Sequence, residues 1–252
     1  GSKKEEIDRV LEDLEKHNIE IFDSIDSTNK YLKSKINEKK YGTIVISNEQ
    51  TNGYGKKNRE FISNKDKGIY MSILINPNCL IEDSLKITIL TSVAVLSAIK
   101  SICNLDVKLK WVNDIILNDL KVGGILCESQ INLNTNIIDN MIVGIGINVK
   151  ESNFPPSLKN IATSIENNTN IKISRNKLIS EIINFFDLYF IDKENYIDIY
   201  KENSYVLGKD ITVIQNDRQF FAKATDIEDN GALIVQEQEK IIKLISSDIS
   251  IR

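Results

Sequence analysis

Gln50-Thr51-Asn52-Gly53-Tyr54-Gly55-Lys56-Lys57-Asn58-Arg59 sets two glycines just ahead of three cations. Glycine leaves the backbone bare enough for N–H groups to approach a ligand, and the cations beside it could cradle a phosphate or a carboxylate. The segment lacks the GK[ST] ending of a nucleotide-hydrolase loop, and a plain solvated charged loop stands as the alternative. A second cluster reads Lys110-Trp111-Val112-Asn113-Asp114, then Lys121-Val122-Gly123-Gly124-Ile125-Leu126. If these form a hairpin, Asp114 and Lys121 meet near one place, giving an oxygen ligand for Mg²⁺ and a point charge for a triphosphate. The alternative is a surface ion pair worth under about 1 kcal/mol. Paired glycines inside a strand argue against it, because they mark close approach of a backbone or ligand. A third signal is Gly144-Ile145-Gly146-Ile147-Asn148-Val149, where alternating glycines weaken a strand unless something packs on them.

These residues need elements to hold them. Ile7, Val10, Leu11 and Leu14 have helical spacing. Ile19–Ile25 reads as a strand, and Asp26 or Ser27 as the cap of a helix with Tyr31, Leu32 and Ile36. Thr43–Ser47 and Gly68–Ile75 read as strands joined by the long polar loop 48–67. Glu82, Asp83 and Ser84 precede a helix running to about Lys100. Strands follow at Val107–Trp111, Ile115–Leu117 and Val122–Glu128, with Asn118-Asp119 as a tight turn, and then a strand from the Asn134–Asn136 turn through Ile145. After Pro155-Pro156, Ser174 opens a helix to about Phe190, and another lies near Glu194–Lys201.

Beyond Tyr205 the texture changes to short apolar runs separated by Asn216-Asp217, Asp229-Asn230-Gly231 and Glu237–Glu239, the pattern of a small all-β barrel. The fold expected is therefore α+β: a mixed, mainly antiparallel sheet with flanking helices over residues 1–205, and a small C-terminal barrel over 206–252.

Composition narrows the chemistry. The 252 residues are 41% hydrophobic and 27% charged, with 32 Lys plus Arg against 36 Asp plus Glu, a net charge of −4. That balance disfavours non-specific nucleic-acid coating. The stretch Leu85–Ile99 reads as too short and too polar to span a bilayer, so no membrane is expected. Without an apolar leader, and with three scattered cysteines, a cytoplasmic setting is expected. A single histidine leaves no material for a His-based metal cluster or a Ser-His-Asp triad.

In order and spacing, Asp26–Leu32 (DSTNKYL), Glu49–Phe61 (EQTNGYGKKNREF), Lys110–Leu126 (KWVNDIILNDLKVGGIL), Gly144–Val149 (GIGINV) and the terminal DISIR resemble the biotin protein ligases, in the ligase-only class without a DNA-binding domain. The resemblance runs over almost the whole length. It implies an adenylate-forming enzyme: biotin and ATP with Mg²⁺ give biotinyl-5′-AMP, and biotin then passes to a lysine of the biotin carboxyl carrier protein of acetyl-CoA carboxylase. It also implies homodimerisation as a further option, and no DNA partner.

Carried over by position, the resemblance implies that Ser27, Thr28, Asn29, Gln50, Gly53, Tyr54, Gly55, Lys121 and Gly123 bind biotin. Lys56, Arg59, Phe61, Asn113, Asp114, Asn148 and Arg252 would serve the nucleotide, with Asp114 also toward Mg²⁺. Lys121, Lys56 and Arg59 would be catalytic. The glycine loop would be disordered when empty and close over the adenylate. Where relatives have arginine, this chain has Tyr54 and Lys56; Asn58 replaces a glycine, Phe61 a tryptophan and Val112 a proline. Lysine keeps the charge at 56 but loses the planar fork, which predicts looser retention of the adenylate. A lipoate ligase or octanoyl transferase, and a non-catalytic ligand-binding module, remain the competing readings.

Overall fold

The computed structural model describes residues 17–246 and 249–252; the helix expected over residues 7–14 lies outside them. Two sheets form the frame. In the larger, β1 (Ile19–Phe22), β2 (Ile44–Ser47), β3 (Gly68–Ile75), β8 (Ile137–Asn148), β7 (Leu120–Asn132), β6 (Asp114–Leu117) and β5 (Val107–Lys110) lie side by side in that order, and β4 (Cys79–Leu80) pairs with the far end of β8. Only β1 and β2 run parallel; every other pairing is antiparallel. The β6–β7 hairpin turns on Asn118 and Asp119, both at positive φ (50° and 63°), the mirror-image two-residue turn whose twist matches that of its strands.

Helix α1 (Thr28–Ser34) starts where the Ser27 hydroxyl accepts from the Lys30 N–H, which satisfies one orphan donor of its first turn. Helix α2 (Leu85–Ile102) is buried along most of its length, with Ile87, Ile89, Val93, Ala94, Val95, Ala98 and Ile99 almost inaccessible. Within Ile81–Ile102 an 18-residue window reaches a mean hydropathy of 1.7, long and apolar enough by length and composition to cross a membrane, which corrects the reading of this region as too short and too polar. Burial of 72% of that window inside the fold accounts for its apolarity instead. Ser84 does not cap α2 with its side chain; its hydroxyl donates back to the Ile81 carbonyl. Helix α3 (Arg175–Phe190), capped by Ser174, and the short α4 (Ile197–Glu202) pack against α2.

The second sheet orders β12 (Lys240–Leu244), β11 (Leu233–Glu237), β10 (Arg218–Ile227), β9 (Asp210–Gln215) and β13 (Ser250–Ile251), all antiparallel. Among the described residues β12 and β13 do not pair, so the expected barrel curls without closing. Its inner residues Val213, Ala224, Leu233 and Val235 belong to the same core as Leu85, Ile89 and Trp111. The two parts are sealed by Gly231, at φ +93°, whose missing Cβ would lie 3.0 Å from Ile89 and 3.1 Å from Leu85. Beside it the buried Trp111 indole donates to the Gly231 carbonyl at 2.9 Å.

Candidate active site

The end of β7 shows why the local sequence matters. Ile115 pairs with Gly123 but Ile116 pairs with Lys121, so Val122 is an extra residue, a β-bulge. A bulge shifts the alternation of side chains by one. Val122 turns fully into the core, and Lys121 falls on the same face as Gly124, directly beside Asp114. The Lys121 ammonium stands 3.2 Å from Asp114 Oδ1, with both side chains about one-third exposed. Gly124 makes room for it: a Cβ there would lie 3.3 Å from Lys121 Nζ. Backbone bonds from Lys121 N to the Ile161 carbonyl, and from Thr163 N to the Lys121 carbonyl, hold the base of the lysine from its other side.

Facing this pair, residues 50–61 form a strap. Its base is pinned by Asn52 N to the Asp26 carbonyl and by Phe61 N to the Gly53 carbonyl, both 2.9 Å, and Gly55 N bonds the Arg59 carbonyl at 2.8 Å. The tip is a 3₁₀ turn at 56–58 in which Lys57 and Asn58 both take φ +57°, a region that asparagine enters more readily than lysine. Lys56 reaches away from the strap, and its ammonium donates to the Ile249 carbonyl next to β13. The strap thus touches the smaller sheet as well as the larger.

Between strap and sheet lies a cleft of about 340 Å³, within the size range of small-ligand sites. One end is neutral and polar. There Gln50 Oε1 accepts from the Thr28 backbone N–H at 2.9 Å and lies 3.2 Å from its hydroxyl, while Gln50 Nε2 donates to Ser63. The buried Ser72 hydroxyl joins Thr28 (2.7 Å) to Asn29 (2.5 Å). The other end is charged: Lys56, Lys57, Arg59, Lys110, Lys121 and Arg252 face it, against Glu60 and Asp114. Arg252 is placed by reciprocal 2.9 Å backbone bonds with Thr212. Six cations around one cleft, in a chain of net charge −4, create a local positive potential that would focus a polyanion there.

Of the residues singled out from the sequence, Ser27, Thr28, Asn29, Gln50, Tyr54, Gly55, Lys56, Arg59, Phe61, Asn113, Asp114, Lys121 and Arg252 line this cleft. Three do not. Gly53 is buried at the base of the strap, where a Cβ would lie 2.6 Å from both the Phe61 carbonyl and Ser63 Oγ. Gly123 faces the neighbouring strand, 2.6 Å from the Gly146 carbonyl by the same measure, because the bulge gives the cleft-facing position to Gly124. Asn148 lies beyond the cleft, with its amide donating to the Thr163 carbonyl at 3.1 Å. The alternating glycines of β8 serve side chains: Gly144 leaves space for the Asn29 amide and Gly146 for the Phe61 ring. Phe61 is further steadied edge-on against Tyr70, with ring centroids 6.4 Å apart.

Sequence reasoning missed Ser72 and Glu128; Lys57 and Lys110 stood in the two motifs it singled out but were given no individual role. Ser72 interrupts the otherwise apolar run of Gly68–Ile75, and Glu128 is the acid that ends the run Val122–Cys127; a polar residue interrupting a buried strand was the available signal. Among the described residues no three His, Cys, Asp or Glu side chains gather as a metal cage. Asp114, the cleft carboxylate beside Lys121, fits a magnesium ion that arrives on a triphosphate and keeps most of its waters, and does not fit a resident all-protein site.

The fold and this cleft define the class. Residues 21–148 match the Biotin/lipoate A/B protein ligase family and residues 206–252 the Biotin protein ligase C terminal domain; the chain belongs to the former family. It is 34% identical over 218 residues to the bifunctional ligase/repressor BirA of Bacillus spizizenii, covering 83% of this chain and 66% of that protein, and 33% identical with the same coverage to the counterpart in Bacillus subtilis. The chain therefore spans just under two-thirds of the length of these relatives. The fold superposes on the biotin protein ligase of Aquifex aeolicus, solved in complex with biotin and ATP, with a TM-score of 0.78 at 24% identity, covering 93% of this chain and 98% of that one. The Leishmania major biotin protein ligase in complex with biotinyl-5-AMP gives 0.61 at 18% identity, covering 90% and 98%.

Proposed function

We propose that this chain is an ATP-dependent biotin protein ligase. The observation that carries the reading is the two-ended cleft, a neutral wall of amides and hydroxyls at one end and six cations at the other. Biotin and ATP have matching halves. A ureido ring with two N–H donors and one carbonyl suits the Ser27, Thr28, Asn29 and Gln50 wall, and a carboxylate beside a triphosphate suits the cations.

In the first step the biotin carboxylate oxygen bonds to the α-phosphorus of ATP and the bond to pyrophosphate breaks. Lys121 sits where it would neutralise the carboxylate and the charge growing on the α-phosphate, so that two anions can approach. Asp114 holds the lysine in place and would supply one oxygen to magnesium, which screens the triphosphate when bound. Lys56, Arg59 and Arg252 would steady the phosphates, Asn113 the nucleotide, and Phe61 would offer a ring to adenine. In the second step a carrier lysine amine attacks the anhydride carbonyl and AMP leaves, so no nucleophile from the enzyme is needed. The strap would keep water off the anhydride between steps. A biotin carboxyl carrier domain is the proposed partner. The free thiols Cys79, Cys103 and Cys127 agree with a reducing, cytoplasmic setting.

Mass spectrometry of a carrier domain incubated with this protein, biotin, Mg²⁺ and ATP tests the reading. One biotin added to one lysine is expected. Modification with lipoate in place of biotin, or none with either acid, would overturn it.

A further inference from the structure

Glu128 lies in the middle of β7 and does not line the cleft, yet it joins three elements. Its Oε1 accepts from the Tyr54 hydroxyl of the strap at 2.6 Å and from the Asn29 amide of α1 at 3.0 Å. Its Oε2 accepts from Lys33, one turn further along α1, at 2.6 Å. Asn29 in turn takes the Ser72 hydroxyl on its Oδ1 and gives a weaker bond to the Leu126 carbonyl. A side chain fastened at both amide atoms has one orientation, so the wall at the neutral end of the cleft is set by the same carboxylate oxygen that holds the strap.

We propose that Glu128 is a positioning residue that latches the strap: by binding Tyr54 and Asn29 through one oxygen, it couples closure of the strap to the orientation of the amide wall. Tyrosine suits the strap side because its ring is stiff and reaches a fixed point with a single donor. The protonation states match this role. Burial and the nearby carboxylate keep Tyr54 protonated well above its ordinary range. Burial opposes ionisation of Glu128, but the bonds from Lys33, Tyr54 and Asn29 outweigh it and hold the carboxyl below its ordinary value. Donor and acceptor are thus both defined through neutral pH. Biotin as the molecule beneath the strap rests on the ligase reading; the latch itself does not.

The strap tip carries its own probe, since Lys56, Lys57 and Arg59 are trypsin sites. Limited trypsin digestion of the whole protein without ligands, with cleavage located by mass spectrometry, would compare wild type with Tyr54→Phe, Glu128→Ala and Glu128→Gln. Tyr54→Phe removes one oxygen atom, so folding is not in question for that variant. Cutting after residues 56–59 is expected to accelerate about tenfold in Tyr54→Phe and Glu128→Ala, the scale of one hydrogen bond to a charged acceptor. Glu128→Gln, which keeps an acceptor oxygen, should stay near wild type. In parallel, the KM for biotin in pyrophosphate release should rise in the first two variants with kcat changed far less. Unchanged strap cleavage in Tyr54→Phe and Glu128→Ala overturns the latch, even if biotin is activated. Faster cleavage in a protein that never activates biotin upholds the latch and overturns the ligase reading instead.

Discussion

Lys121 Nζ and Asp114 Oδ1 stand 3.2 Å apart across a β-bulge, and the bulge is what makes them neighbours. In regular pairing Gly123 would share the face of Lys121, and the ammonium would meet a different set of groups. The pair is partly exposed and adds little stability of its own; under the proposed function its value lies in placing a cation where two anions would approach.

Lys121→Met is therefore expected to leave the fold intact and lower biotin-dependent pyrophosphate release by about 10²–10³-fold, the scale of removing one preorganised group that stabilises transition-state charge. Steady-state release, with circular dichroism as the folding control, checks it. A loss under about tenfold would move the charge-neutralising role elsewhere, with Lys56 and Arg59 the next candidates.

The glycines of β8 give a paired prediction. In Gly146→Ala the new methyl would lie 2.7 Å from the Phe61 ring, and in Gly144→Ala 2.5 Å from Asn29 Oδ1. Overpacking of this kind destabilises by about 1–3 kcal/mol. The first variant is expected to weaken nucleotide binding selectively, and the second to weaken biotin binding. Calorimetric titration of each ligand separates the two; equal losses for both ligands in both variants would show that the cleft does not divide into two ends.

Lys56 spans from the strap to the Ile249 carbonyl. Lys56→Met should free the strap from the smaller sheet and speed adenylate release by about tenfold, while Lys56→Arg, with its two-point grip on phosphate, should slow release below wild type. Off-rates measured by chasing labelled adenylate test both. Identical rates in all three proteins would remove position 56 from adenylate retention.

Acid should loosen the connection between β8 and α3. Glu166 is nearly buried, a position that opposes its ionisation, yet it accepts from the Ile173 and Glu151 backbone N–H groups at 2.9 and 3.1 Å and from Lys150, and its carboxyl is held below the ordinary value of 4.5. A depressed carboxyl stabilises fully above its ordinary value, and that contribution is lost as pH falls through the lower, folded value. Melting temperature should drop more steeply below about pH 4.5 in wild type than in Glu166→Gln, which should already be less stable at pH 7. Parallel curves in that range would exclude Glu166 as a source of the acid sensitivity.

Much of this frame was legible where local chemistry decides. Asn118-Asp119 announces its turn because both residues tolerate positive φ, and Gly68–Ile75 reads as a strand because its apolar run carries no turn residue after its opening glycine. The glycine strap and the Lys110–Leu126 hairpin were recognisable as parts of one site. What stayed hidden depends on register and on contacts between distant elements. The bulge at Val122 leaves no composition signal, so the sequence does not distinguish Gly123 from Gly124 as the glycine that faces the cleft. Asn148 was expected at the site from the GIGINV resemblance, and the structure places its amide on the Thr163 carbonyl, outside the residues that line the cleft. Ser72 and Glu128 acquire meaning only once α1 is laid across the sheet.

The indole-to-carbonyl bond between Trp111 and Gly231 ties the β5–β6 turn that delivers Asn113 and Asp114 to a turn of the smaller sheet. With one apolar interior running through both sheets, the tail is not a detachable module. Exchanging it for that of a relative would require recutting the seam at Leu85, Ile89, Trp111 and Gly231 together, and a chimaera joined at residue 206 without those changes would inherit a mismatched joint at Trp111, in the wall of the cleft.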